Sequence, residues 1–552
     1  MAAAPRPSFH GAAVMGLLLF FLGPTVAALS LSSAKTFNGS CIEAEREALF
    51  SFKAGVTSDP SRRLRSWRGQ DCCHWYGVRC STRTGHVVKL DLRNGFFQYR
   101  FLRDDEQVVN SLGGQISSSL LALRHLKHLD LSGNVLGGGT SIPEFIGSLK
   151  SLTYLNLSYI NFGGRVLPQL GNLTKLVYLD IQLDDDAFAY SADVSWIARL
   201  RSLEYLDMSG LKLSAVVDWV HAVNNLPKLR VLHLSDCELN TSIPSLQHHN
   251  FTVLEELDLS DNNSLLLRPI GTGILRMIDL RSNNIVGDIR DLIQRLPKCS
   301  WNSVQDLNLV ESNITGMALK SAFNLSSLRI LDIASNQLNG SVPVEIGALK
   351  FLTELSIGNN SLIGVISEDH LSGLVDTIPD WFWTTFSNAK TLDLSYNQIS
   401  GVIPESICRL SYLRLLDFSK NQLTGGIPDC DRKELKQWDR SSSNNASRVN
   451  SASSYGFEIR TLLLNNNSLS GHIPIEITRF VNLRILDLAN NTFSGVIPQS
   501  LVNLEALTND VTYLPDNPFE LLYQCVLEIR QHKNIQSDGM EMISLKWISI
   551  WV

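Results

Sequence analysis

Leu328-Arg-Ile-Leu331-Asp-Ile333-Ala-Ser-Asn336-Gln-Leu338-Asn-Gly340-Ser-Val-Pro343 is one statement of a pattern that the chain repeats. Further clean copies begin at Ala389, Leu413 and Leu483. The second leucine-type position of the pattern recurs fifteen times, at residues 90, 129, 155, 179, 206, 232, 257, 278, 307, 331, 355, 392, 416, 462 and 486. Five of the steps between these anchors are 24 residues, and most others fall between 21 and 29. Within L-x-x-L-x-L the leucines point to one side of a short strand and the intervening residues to the other. The asparagine after each strand is expected to be buried, its amide bonding backbone groups of neighbouring turns.

A period in this range is that of leucine-rich repeats. The expected fold is an α/β solenoid: a right-handed superhelix of repeats over 86–504 with a parallel sheet on the concave face. Length alone would suggest several globular domains, but stacked repeats make one elongated body. At about 4.8 Å per strand, fifteen coils give an inner face on the order of 70 Å long. Such a face suits a peptide, a protein or a carbohydrate, and it argues for binding over catalysis. With 44% apolar and 18% charged residues and a net charge of −6, nothing points to nucleic acid or an acidic membrane surface.

Two outward columns stand out. One, between the last two leucines, is rich in aspartate (Asp130, Asp180, Asp207, Asp258, Asp279, Asp332, Asp393, Asp417, Asp487). It reads as an exposed row that recurs as scaffold, with serines two residues on as hydroxyl donors. Like charges on adjacent strands repel, so the row looks costly. The other column is His128, Tyr154, Tyr178 and Tyr205, continuing as Val231 and Glu256. Stacked tyrosines suit a rigid contact surface; cross-strand packing within the sheet is the alternative. Asn134, Asn262, Asn283, Asn336, Asn360, Asn397, Asn421, Asn467 and Asn491 hold the asparagine position. Ile160, Asp184, Leu211 and Cys237 replace it in four consecutive repeats, which reads as drift that neighbouring coils tolerate.

Residues 1–28 read as a secretory signal peptide: an apolar run from Ala12 to Leu22, then Val26 and Ala28 before a cleavage site. In a secreted chain the nine cysteines become disulfide candidates. Cys408 and Cys430 sit 22 residues apart, close to one repeat, which allows a bridge between adjacent turns. Cys237 reads as a buried structural thiol, and Cys299 and Cys525 have no assigned role. Thirteen sequons, at Asn38, Asn156, Asn172, Asn240, Asn250, Asn262, Asn313, Asn324, Asn339, Asn359, Asn445, Asn466 and Asn490, suggest a glycosylated extracellular protein.

The pattern breaks in three places. The 37-residue step from Leu355 to Leu392 holds Trp381-Phe-Trp383, which is expected to pack on the convex side. The 46-residue step from Leu416 to Leu462 holds a polar insertion at 431–455. After Pro498 the pattern fades: Leu504 and Leu507 could begin another coil, but its strand does not follow, and 505–552 reads as an irregular tail. No phosphate-binding loop, G-x-S-x-G, H-E-x-x-H or kinase domain occurs. Asp184-Asp-Asp186, His248-His249 and the pair His125 and His128 lack the converging ligands of a metal site. No enzyme activity, metal or cofactor is expected.

The block Cys41-Ile-Glu-Ala-Glu-Arg-Glu-Ala-Leu49, Phe52-Lys53, Ser66-Trp67, Asp71-Cys-Cys-His-Trp75-Tyr-Gly-Val-Arg-Cys80 and Thr84-Gly-His-Val-Val-Lys-Leu-Asp-Leu92 resembles the N-terminal cap of plant extracellular leucine-rich-repeat proteins. The Gly-x-Ile-Pro ending of the repeats is similar to the plant-specific type. From about Cys41 to Leu504 the chain resembles the receptor-like proteins of the ethylene-inducing-xylanase receptor group. The resemblance implies a cap over 41–85 with bridges Cys41–Cys72 and Cys73–Cys80 and a shielding helix near Glu43 to Phe52. It also implies perception of a pathogen or wall-derived ligand at the plasma membrane, with signalling through membrane receptor kinases. Members continue through an island, further repeats and a transmembrane helix. Asn517-Pro-Phe-Glu520 resembles the start of that island, so the sequence reads as truncated, and the step near Gly373 to Thr377 as a deletion. If the chain ends at Val552, the rival reading is a secreted apoplastic binder. That could be an inhibitor of microbial wall-degrading enzymes, a decoy, or a non-functional product.

Overall fold

The computed structural model describes residues 41–95, 110–184, 188–216, 219–239, 253–262, 274–285, 287–295, 301–317, 325–342, 346, 349, 351–367, 389–410, 412–429, 458–495, 497–498 and 549–551. The expected signal peptide, Trp381-Phe-Trp383, the 373–377 junction, His248-His249, the insertion 431–455 and most of 505–552 lie outside them. So do Asp185, Asp186, Cys299, Cys430, Cys525, Asn38, Asn240, Asn250, Asn324 and Asn445.

Each L-x-x-L-x-L segment forms a short strand with an anchor residue inside it. The strands pair in parallel, anchor opposite anchor: Leu90 with Leu129, Leu155 with Leu179, Leu331 with Leu355. Among the described residues this pairing is unbroken from Val87–Asp91 to Ile485–Asp487. Leu355 pairs directly with Leu392, and Leu416 with Leu462. The two long steps therefore do not shift the register of the sheet. The anchors and flanking leucines make one continuous buried spine along the solenoid.

The asparagine after each strand ties the coils together. Asn397 is buried, and its Nδ2 donates to the carbonyls of Ile357, Leu394 and Ser395 at 3.0, 3.2 and 3.0 Å. Its Oδ1 accepts the Leu362 N–H at 3.0 Å. One side chain thus satisfies backbone groups of its own coil and the preceding one, groups that burial would otherwise leave unpaired. Asn134, Asn262, Asn336 and Asn491 make the same set of contacts. Where asparagine is missing, Cys237 substitutes. It is a free, buried thiol whose Sγ donates to Met208 O at 3.3 Å and Ser235 O at 3.5 Å. Ile160 and Leu211 fill the position with apolar bulk, and the strand pairing passes through all four drifted repeats intact.

The residue just before the asparagine lies in the left-handed region in coil after coil, even as Ser335, Tyr396 or Lys420 (φ 55°, 51° and 54°). Such a backbone is unfavourable for a residue with a Cβ, and the asparagine bonds on either side hold it in place.

A second parallel sheet runs beside the first, a feature that the repeat pattern alone does not announce. It links Gly287–Asp288, Ile314–Met317, Gln337–Ser341, Ser361–Val365, Gln398–Val402, Gln422–Gly425, Ser468–Gly471 and Thr492–Phe493. Its strands are the Leu-x-Gly-x part of the repeat. Gly401 has φ +90°, and a Cβ there would meet Val365 Cγ1 at 2.4 Å, so the motif's glycine is needed for both conformation and space.

The N-terminal edge is closed by the cap. Helix Glu43–Ala54 buries Glu45, Ala48, Leu49 and Phe52, and the bridges Cys41–Cys72 and Cys73–Cys80 tie its surroundings together. Trp67 stacks on Trp75 with ring centroids 5.5 Å apart. Strand Val78–Cys80 pairs antiparallel with Val87–Asp91. Glu45 accepts the Val87 N–H at 2.7 Å and meets His86 Nδ1 at 2.9 Å. These contacts cover an edge that would otherwise offer free backbone groups. At the other end Ser549–Trp551 pairs antiparallel with Ile485–Asp487. This strand does not continue the repeat, whose strands pair in parallel; it lies antiparallel along the edge that Ile485–Asp487 presents. Cys408 is disulfide-bonded, while its expected partner Cys430 lies outside the described residues.

Asn397→Ala removes four bonds and leaves buried backbone groups unpaired. It is expected to cost about 1–3 kcal/mol, read as a lower midpoint in urea unfolding. An unchanged midpoint would show that the ladder is dispensable.

Candidate functional site

The inner face of the main sheet is an extended surface on which the sequence varies from coil to coil against a fixed frame. The expected contact residues His128, Tyr154, Tyr178 and Tyr205 come together there, because parallel register places them directly opposite one another. Their rings stack with centroids 4.0, 4.3 and 4.1 Å apart and planes within 11° of parallel. The interior faces of the tyrosines are therefore covered by each other. What the stack presents outward is a row of ring edges, half-buried and rigid. The hydroxyls turn toward the neighbouring acidic row, at 3.4 Å from Asp130, 3.3 Å from Asp180 and 3.4 Å from Asp207. Burial, with the Asp180 charge added, raises the Tyr178 hydroxyl pKa, and burial with Asp207 does the same for Tyr205.

The stack ends at His233, which the sequence reading missed. His233 belongs to the adjacent row, opposite Asp207, and meets Tyr205 edge-on at 5.7 Å. Its Nδ1 lies 3.2 Å from Asp207 Oδ2. Burial opposes its charge, but the Asp207 hydrogen bond and charge outweigh it, and the imidazole pKa is raised. The signal was present in the sequence as a histidine standing where most other repeats carry aspartate.

The aspartate row is buried, which corrects the expectation of an exposed column. Asp130 is 1% exposed and Asp417 3%. The chain turns back directly after each strand, so each carboxylate accepts the N–H two residues on. Ser132 bonds Asp130 at 3.2 Å, Ser260 bonds Asp258 at 2.9 Å and Ser419 bonds Asp417 at 2.9 Å. Hydroxyls of Ser132 and Ser260 add bonds of 2.7 Å. In four of these carboxylates, Asp180, Asp279, Asp332 and Asp417, burial and then neighbouring acidic charges raise the pKa. Burial and then the Asp393 charge push Asp417 up to about 7. Burial and Asp258 push Asp279 to about 6, burial places Asp332 at about 6, and burial with Asp207 raises Asp180.

Two of the sequon asparagines are taken into the same packing. Asn156 sits buried in this row, its Oδ1 accepting the Ser158 N–H and hydroxyl at 2.9 and 2.8 Å. Asn262 is a buried ladder asparagine. Asn172, Asn313, Asn339, Asn359 and Asn490 are exposed or half-buried, and so is Asn466.

Asp91, His128 and Asp130 converge closely enough to suggest a cation site. Lys89 and Arg93 already pair with Asp91 at 3.0 and 3.1 Å, so the cluster is an ion-pair network. His125 lies apart from it, its ring against that of His86 with centroids 4.0 Å apart and planes tilted by 33°. Among the described residues no helix is long and apolar enough to cross a membrane.

Comparison with known proteins agrees with this architecture. Residues 42–81 match a leucine rich repeat N-terminal domain, 95–267 a leucine-rich repeat region, and 327–349, 388–410 and 482–504 single leucine rich repeats. Receptor-like protein EIX1 of Solanum lycopersicum is 33% identical over 344 residues, 61% of this chain and 28% of that protein. The chain belongs to the plant leucine-rich-repeat receptor-like proteins. Receptor-like protein EIX2 of the same species is 31% identical over 411 residues, covering 69% of this chain and 36% of its own length. This receptor-like chain thus spans about a third of the length of these curated relatives. The plant peptide hormone receptor RGFR1, solved in complex with RGF2, is similar at 23% identity and a TM-score of 0.47, covering 79% of this chain and 67% of that one.

The acidic row makes stability depend on pH. In Asp279, Asp332 and Asp417 the folded pKa stands above the unfolded value of about 3.9. The folded state then holds more protons than the unfolded one, and the stabilisation is lost as pH rises through about 6 to 7. Thermal melts are expected to give a higher midpoint at about pH 5 than at about pH 7.5, with Asp417→Asn narrowing the gap. Carboxylates held low, such as Asp193 and Asp288, titrate below this window. Equal midpoints at both pH values would contradict the assignment.

Proposed function

We propose that this chain is the ligand-recognition part of an extracellular plant receptor-like protein that perceives a pathogen- or wall-derived ligand. In this reading it enters the secretory pathway, acts at the plasma membrane, and signals without its own kinase through partner receptor kinases. The observation that carries the reading is the uninterrupted parallel face, from Val87–Asp91 to Ile485–Asp487, in a chain related to EIX1 and EIX2. One continuous surface of this length fits an extended ligand better than a small metabolite. The aromatic stack supports a peptide or protein over a carbohydrate. Sugars bind aromatic residues through open ring faces, and here the interior faces are occupied by neighbouring rings. His128, Tyr154, Tyr178 and Tyr205 are the proposed contact edges.

The test is expression of the tagged chain in leaf tissue, then affinity purification. Recovery of a membrane receptor kinase with the chain is expected. Direct inhibition of microbial wall-degrading hydrolases by the purified chain, with no kinase recovered, would replace the receptor reading with that of a soluble inhibitor. Tyr178→Ala opens the stack on both sides and is expected to weaken capture of the physiological ligand by on the order of tenfold. Unchanged capture would remove the stack from the binding surface.

A further inference from the structure

The second residue of L-x-x-L-x-L stands where the chain enters each strand. Its carbonyl accepts two N–H groups of the next coil, which fixes its register. Lys390 O takes Arg414 and Leu415, Arg414 O takes Arg460 and Thr461, and Arg460 O takes Arg484 and Ile485, at 2.7–3.0 Å. Four consecutive coils therefore hold Lys390, Arg414, Arg460 and Arg484 in one column along the rim of the inner face. Lys390 and Arg484 are exposed, and Arg414 and Arg460 partly so.

Like charges at adjacent strand positions repel, and earlier coils avoid this. There the same position reads Glu204, Arg230, Glu255, Arg276, and Arg230 grips Glu255 through two bonds of 2.9 and 3.0 Å. The later column has little compensation. Arg414 meets Glu458 at 3.2 Å, and Glu354 of the preceding strand feels Lys390. Among the described residues Arg460 and Arg484 have no ion-pair partner. The aspartates of these coils do not answer the charge, because they are buried and turned to their own backbone, as Asp417 is to Ser419. Beside the cations lie the half-buried Thr391, Leu415, Thr461 and Ile485, a strip parallel to the charged one in which threonines alternate with aliphatic side chains.

Resting on the receptor reading above, we infer that the Lys390–Arg414–Arg460–Arg484 rim binds an acidic, extended peptide segment of the ligand. At strand spacing the four cations span about 14 Å. An extended peptide presents same-side residues roughly every 6–7 Å, so three carboxylates alternating with other residues match that span. Charge complementarity selects an anion, and the aliphatic Leu415 and Ile485 beside the cations favour a peptide. Its intervening side chains can cover Leu415 and Ile485, whereas a polyuronate has none to offer.

The probe is a fluorescein-labelled peptide containing Glu-Val-Glu-Thr-Glu, with its Gln-for-Glu counterpart and a galacturonate oligomer as comparisons. Binding to the full chain is tracked by anisotropy. The acidic peptide is expected to bind, more weakly as salt rises. It should lose on the order of tenfold in affinity in the Arg460→Gln/Arg484→Gln variant and keep it in Arg230→Gln. All three proteins should show equal thermal midpoints, since the residues are at the surface. Equal binding of the Gln peptide, unchanged affinity in the double variant, or preference for the galacturonate oligomer would each overturn the inference. Such a result with kinase co-purification intact leaves the receptor reading standing. Loss of co-purification is a separate failure, and it belongs to that reading.

Discussion

A buried amide that bonds two coils at once is the constraint on which this structure depends. Asn397 satisfies carbonyls of its own turn and of the turn before, and accepts an N–H from that preceding coil as well. Without those bonds the backbone between the two sheets would be buried and unpaired, which proteins rarely tolerate. The same contact braces the left-handed residue before it, a conformation the coil keeps even at Tyr159 (φ 54°), where Ile160 stands in the asparagine position. The columns on the inner face depend on this too, since outward residues align only if every coil turns at the same place.

Leucine spacing was enough to read the main sheet, because parallel strands in a solenoid have one register in which all anchors are buried. The asparagine bonds were legible for the same reason: a polar residue recurring among leucines must be satisfied. The N-terminal cap was legible through the cysteines and tryptophans that the structure brings together at Cys41–Cys72 and Trp67–Trp75.

The rest depended on how the backbone turns as it leaves each strand. Alternation places Asp417 outward, and it is the backbone turn behind it that encloses the carboxylate, a local geometry that a period of two does not encode. The second sheet lies in the Leu-x-Gly-x part of the repeat, whose period of leucines carries no signal for the pairing that Gln398–Val402 makes with the coils on either side. The tyrosine column was found, but not that its rings close on one another, nor that His233 ends it from the next row. The basic rim was hidden because Lys390, Arg414, Arg460 and Arg484 are ordinary surface residues in sequence, with neighbours in the column separated by as many as 46 residues.

Direct pairing of Leu355 with Leu392 across a 37-residue step has a consequence for how such surfaces arise. The sheet responds only to what each coil offers its neighbour, so the length of chain looped between two coils leaves no trace in the columns. Whole turns can then be gained, lost or recombined without any frameshift of the binding face. Each such event would set previously distant residues side by side. New recognition surfaces can therefore be assembled by shuffling coils that already fold, with no need to redesign the core.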